Sequence, residues 1–363
     1  MNRRNFLGHG AALAAMALAP RAALSAAQPF APRPDEWRVF EVTTRVELLS
    51  SAGTPRVWLP LPSVFEEAWM KPMGNLWSGN AALAQPIADP AYGAQMLYAE
   101  WAGDESAPVL EVLSRFAARD RATDWAVRSD VRLSREERQL YTKSTDLVQT
   151  GGIVRRTARE AAVGARTDRD KARAIYDWIV DNTFRDPKTR GCGLGDIRTM
   201  LETGNLGGKC ADLNTLFVGM CRAIGIPARD VYGVRVADSR FGYRSLGKSG
   251  DISKAQHCRA EVFLDGFGWV PADPADVRKV VLEEDPGLSL HHPRVAAVRE
   301  ALFGAWETNW LAYNFAHDLV LPNSNGPTLP FLMYPQGETA GGRLDSLDPQ
   351  TFRYSLTSVE RVA

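Results

Sequence analysis

The chain has little histidine and little cysteine, five and four residues in 363. With so few imidazoles, each one can be weighed individually as a catalytic or ligating group. Four thiols do not make a disulfide-stapled scaffold, and a chain of this length needs no staples. After the N-terminus no apolar run is long enough to span a membrane. Charge of one sign is also missing: 43 basic and 43 acidic residues cancel and form no block. That balance argues against nucleic acid or an anionic membrane as partner. There are no internal repeats, and the only biased tract is a Pro-rich leader at residues 28–36. What remains is ordinary globular material, 45% hydrophobic and 9% aromatic, sufficient for two domains.

The N-terminus reads as an address and not as part of the fold. Asn2-Arg3-Arg4-Asn5-Phe6-Leu7 precedes an apolar run from Gly8 to Ala19 and the small residues Ser25-Ala26-Ala27. The pattern resembles a twin-arginine export signal over residues 1–27, cleaved near Ala27/Gln28. Removing it, with its three Arg and no acid, leaves a mature charge of −3 and a periplasmic or secreted protein without a membrane span. Export raises the question of disulfides among Cys192, Cys210, Cys221 and Cys258. Twin-arginine substrates fold before export, so at most one is expected, with Cys192–Cys258 the best pair.

Strand signals begin at Trp37 and continue through Arg56–Pro60, Met96–Trp101 and Val109–Phe116, separated by Gly and Pro. This texture predicts a β-sandwich-like domain over 37–127. Helical spacing then takes over. Ser134-Arg135-Glu136-Glu137 reads as a capped start, residues 153–163 as a second helix, and Asp168–Asn182 as a third behind an Asp cap. The second domain is placed at 128–290. Residues 291–363 form a C-terminal extension with a late strand at 351–356. The fold class is α+β.

The informative stretch is Gly207-Gly208-Lys209-Cys210-Ala211-Asp212. It is followed by an apolar stripe of Leu213, Leu216, Phe217, Met220, Cys221 and Ile224, and a stop at Gly225 and Pro227. Cys210 therefore sits at the tip of a buried helix. There, unpaired N–H groups and the positive helix end favour thiolate and can bind an oxyanion. Cys221 lies about three turns further along the same face and reads as a small core hydrophobe.

A nucleophilic thiol needs an imidazole. His9 leaves with the signal, His291 and His292 sit beside Pro293, and His317 lies in an irregular region. His257 instead heads a strong strand, His257–Leu264. After Asp265-Gly266-Phe267 the chain returns through Gly268-Trp269-Val270-Pro271-Ala272-Asp273-Pro274. A two-residue turn would point Asp273 away from His257. An odd loop pairing Leu264 with Gly268 sets Asp273 opposite Arg259 on the His257 face. That second register is predicted, with Gly266 and Gly268 suited to it. Read alone, Asp273-Pro274 is a helix cap or turn, with Asp276 as a rival cap.

Three blocks together resemble the transglutaminase-like superfamily, whose core has a papain-like arrangement. They are Gly208-Lys209-Cys210-Ala211-Asp212 with Arg222–Arg229, His257 with Glu261-Val262, and Gly268–Pro274. One departure is Cys258-Arg259, where relatives often carry Ala-Trp; it is expected to alter the cleft wall. The resemblance implies a triad of Cys210 as nucleophile, His257 as base and acid, and Asp273 as orienting group. It also implies acyl transfer from a peptide or protein amide through a thioester. The Cys210 N–H would form part of an oxyanion hole, with Asn205 and Gly208 as supporting positions. No cofactor and no metal is implied, since the His and Cys spacings make no zinc site and His291-His292 lack a third ligand. A catalytically silent envelope-binding module is the alternative. The polar stretch 236–256 reads as a gating loop or a solvated connection. Trp178 and Trp269 read as core. Nothing in the sequence fixes substrate or oligomeric state.

Overall fold

The computed structural model describes residues 29–49, 53–285 and 287–361; the expected export signal at 1–27 lies outside them. Period-two burial builds the first strands. Arg38–Leu48 buries Val42, Val46 and Leu48 on one face while Arg45 is exposed. It lies in a five-stranded sheet ordered Gly250–Asp251, Phe352–Arg361, Arg38–Leu48, Val109–Ala118, Met70–Gly79. A second five-stranded sheet runs Gly342–Arg343, Gln336–Thr339, Arg56–Pro60, Gln95–Glu100, Leu83–Ala88. Val46, Val57, Leu97, Trp101, Val112 and Phe352 from the two sheets share one apolar core, so the layers form a sandwich.

The expected domain limits do not coincide with the sheets. The 291–363 segment, expected as an extension, supplies strands to both sandwich sheets. It also gives Trp310–Asn314 to the sheet that carries His257. Met70–Gly79 and Leu83–Ala88 escaped the sequence pattern because most of their residues face solvent.

The second layer system is the four-stranded antiparallel sheet Gly268–Ala272, Gln256–Leu264, Ala228–Arg235, Trp310–Asn314. Against it packs the Cys210–Ala223 helix, all fourteen of whose residues are buried. The helices Gly152–Ala161, Asp168–Asn182 and Pro274–Glu283 surround it. Ser134 and Glu137 form the expected capping box. For Asp168–Asn182 the cap is Thr167, boxed with Asp170, and Asp168 is the first helical residue. Such caps contribute about 1 kcal/mol each. No described helix is long and apolar enough to cross a membrane.

Candidate active site

The tip of the buried helix is held by one carboxylate. Asp212 accepts the N–H groups of Leu194 and Gly195, both at 3.0 Å, and of Lys209 at 2.9 Å. This ties the preceding loop around the tip. Two glycines make room for it. A Cβ on Gly193 would come within 1.9 Å of the Asp212 carboxylate, and one on Gly208 within 2.5 Å of its Cβ. Gly208 thus acts by clearing space for Asp212. Asn205 is exposed and its side chain caps Gly207 N–H at 3.3 Å; it does not line the cleft. The oxyanion role expected of Asn205 is not supported.

Cys210 is the first residue of the helix and is 2% exposed. Its sulfur lies in hydrogen-bonding reach of Cys192, Cys258 and His257. Those hydrogen bonds, Cys192 first and Cys258 second, outweigh burial and hold the Cys210 thiol well below the ordinary range, with His257 adding to the effect. Cys192 and Cys258 are pushed well up in turn, and burial, with a contribution from Asp168, pushes Cys221 up. All four thiols are free. No disulfide joins Cys192 to Cys258, the pair favoured if one formed: the two flank Cys210, and the Cys192 thiol donates to Gln256 O at 3.3 Å.

The hairpin adopts the odd register. Leu264 pairs with Gly268 and Ala260 with Ala272, and Gly266 and Gly268 take positive φ, +89° and +74°. His257 Nε2 and Asp273 Oδ2 are then 2.8 Å apart, which leaves Nδ1 for the sulfur. Asp273 is also a cap, its Oδ1 accepting Asp276 N–H at 3.1 Å at the head of the Pro274–Glu283 helix. One carboxylate thus caps a helix and meets the imidazole. Asn214, one turn beyond Cys210, donates to Asp273 Oδ1 (3.1 Å) and to Cys258 O (2.8 Å), and accepts Ala275 N–H (3.2 Å).

The site contains a second carboxylate that the sequence did not single out for it. Asp276 Oδ2 lies 3.4 Å from His257 Nε2, and the carboxylate accepts from Arg235 at Oδ1 (2.6 Å) and Oδ2 (2.8 Å). Burial and Arg235 oppose a charged imidazole, but Asp276 and Asp273 outweigh them and raise His257 to about 9. Burial and the neighbouring Asp276 raise Asp273, while Arg235 overcomes burial and holds Asp276 well below its usual range. His257, Asp273 and Asp276 bring three donor atoms within 4.8 Å. Arg235 and Arg259 already supply two cations there, Arg259 Nε lying 3.6 Å from Asp273. That balance opposes a metal ion. His292 caps the Pro293–Ala301 helix. The Cys258-Arg259 departure acts behind Asp273: Arg259 stacks under Trp310 and neither residue lines the cleft.

Cys210 and His257 open into a cleft of about 830 Å³. One wall is the 236–256 segment; Tyr334, Leu347, Phe352 and Tyr354 of the C-terminal segment form another. The 236–256 wall is pinned: Arg240 to Asp35 and Asp120, Ser245 to Glu284, and Asp251 to the strand at Thr357. Among the described residues, Gln256 Nε2 is the one buried side-chain nitrogen on this cleft without a hydrogen-bond partner. Periodicity could not reveal it. Away from the cleft, Glu261 lies between Arg121 and Arg229, and Arg229 stacks on Trp269 at 4.0 Å. That motif block is structural. Trp178 packs at the core edge.

The comparisons with known proteins bear on family and fold. The family model described as the transglutaminase-like superfamily matches residues 155–274. An uncharacterised protein of Haemophilus influenzae is 35% identical over 340 residues, covering 88% of this chain and 91% of that one. A solved Cytophaga hutchinsonii structure, provisionally described as a cysteine protease, aligns over 90% of this chain and 99% of its own at 12% identity, TM-score 0.51. The periplasmic domain of TgpA from Pseudomonas aeruginosa aligns over 67% of this chain and 89% of its own, at 15% identity and a TM-score of only 0.34. The chain belongs to the transglutaminase-like superfamily.

Proposed function

We propose that this protein is a periplasmic or secreted cysteine acyltransferase that opens amide bonds through a thioester, with Cys210, His257 and Asp273 as its triad. The observation that carries the reading is a thiol at a helix tip that shares one cleft with an imidazole whose Nε2 lies 2.8 Å from Asp273. The Cys210 sulfur donates an electron pair to the amide carbonyl carbon, and the carbonyl oxygen becomes an oxyanion. The Cys210 N–H, at the first helical position and without a partner among the described residues, and Gln256 Nε2 donate to that oxyanion. His257, as imidazolium, passes its Nδ1 proton to the leaving amine as the C–N bond breaks. Water or a second amine then gives its proton to Nδ1, attacks the thioester and releases the thiolate. Asp273 fixes the ring through Nε2, and Asp276 keeps it charged.

The test is an acid-quenched mixture of the protein with a peptide anilide, read by intact mass. The expected result is an acyl adduct on Cys210 that hydroxylamine removes and that Cys210→Ala lacks. Added primary amine separates hydrolysis from transamidation by the product formed. Anilide cleavage that persists in Cys210→Ala would refute the assignment.

A further inference from the structure

The chain as a whole has no net charge, yet its cleft is strongly basic. Eight Lys and Arg line it against two carboxylates, Asp251 and Glu283. Some of these cations are spent. Arg185 (3.0 Å) and Lys279 (3.7 Å) share Glu283, Arg235 holds Asp276, and Arg190 meets Asp345. Arg244 is turned to the carbonyls of Glu283 and Glu284. Lys209, Lys248 and Lys254 have no carboxylate within 4.0 Å among the described residues. Asp251, which lies near Lys248 and Lys254, is occupied by Ser253 N–H at 3.0 Å and Ser253 Oγ at 2.7 Å.

The three unspent cations come from two places around the nucleophile. Lys209 adjoins Cys210, and Lys248 and Lys254 stand on the pinned 236–256 wall. The low Cys210 thiol does not account for them, because Cys192, Cys258 and His257 supply that effect. A basic concave site raises the local concentration of anions and steers their approach. Beside Tyr334, Phe352 and Tyr354, a peptide backbone also finds aromatic surface on which to lie.

We propose that the acyl donor is an acidic peptide, one with side-chain or terminal carboxylates flanking the scissile amide, which Lys209, Lys248 and Lys254 receive. This rests on the acyl-transfer reading of Cys210, and it is tested by binding so that the two can fail separately. The full mature chain carrying Cys210→Ala is titrated with a fluorescein-labelled Glu-rich decapeptide and with its Gln isostere, by anisotropy at low salt. The Glu peptide is expected to bind on the order of tenfold more tightly, the sum of two or three exposed ion pairs. The difference should shrink as salt rises. Lys248→Glu/Lys254→Glu should erase it, and Lys248→Gln/Lys254→Gln should reduce it. Both lysines are exposed, so these variants are expected to fold, with circular dichroism as the check. Equal binding of the two peptides overturns the proposal, as does a preference the lysine variants leave intact. Tighter capture of a polyphosphate chain than of the Glu peptide overturns the peptide assignment. Wild-type acyl-adduct formation, read separately, decides the catalytic reading whatever the anisotropy shows.

Discussion

Two buried His–Asp pairs sit in neighbouring parts of this molecule. His257 and Asp273 are 2.8 Å apart, and His317 and Asp230 are 2.9 Å apart. Both histidines are 4% exposed. The difference lies in what each pair faces. His317 meets Tyr232 Oη at 3.2 Å, and Asp230 accepts from Thr215 Oγ1 at 3.1 Å; this is a closed hydrogen-bond network tying strand to helix. His257 meets a sulfur at a helix tip and a cleft. A His–Asp contact therefore does not mark a catalytic site. In the proposed function the third group and its access to solvent set the His257 pair apart.

The comparison breaks most sharply under paired substitution. His257→Gln should cost about 1,000-fold in acyl transfer, the scale of a lost general acid–base group. His317→Gln should leave turnover near wild type and instead lower stability by about 1–3 kcal/mol, since buried polar partners lose their bonds. Turnover and chemical denaturation measured on both variants decide it; equal turnover losses would erase the distinction. Next in size is Gln256→Leu, which should lower kcat about 100-fold with little change in KM, as for a lost oxyanion donor.

A smaller effect concerns pH. In the proposed mechanism the imidazolium is the acid in the first step, and His257 is raised to about 9, so turnover should fall as pH rises through about 9. Asp276→Asn removes one of the two charges that raise it and should move the alkaline limb of kcat to lower pH. A limb that stays in place would remove Asp276 from the account. Smallest is Cys192→Ala. Loss of that neighbouring thiol should raise the Cys210 pKa, read as a shift in the acid limb of alkylation, while the fold is kept.

Much of this site was legible because it is written in local chain geometry. The Gly-Gly lead-in and the apolar stripe placed Cys210 at a helix tip. The three-residue loop 265–267 set the register that turns Asp273 toward His257. What escaped was non-local. The pairing of Phe352–Arg361 with Arg38–Leu48 spans most of the chain and leaves no periodic trace. Asp276 read as a cap because its approach to His257 depends on how the Pro274–Glu283 helix docks. The three-thiol cluster unites residues 192, 210 and 258, which only the folded sheet brings together. Asn205 looked suitable by nearness in sequence, yet the Gly204 turn, φ +70°, leaves it at the surface.

The most direct measurement is the rate of iodoacetamide alkylation at each of the four cysteines as a function of pH, resolved by peptide mass spectrometry. Cys210 should react fast and without further gain from neutral pH upward, while Cys192, Cys221 and Cys258 stay slow. A Cys210 rate that climbs with pH toward the ordinary thiol value of about 8.5, in step with Cys221, would contradict the account.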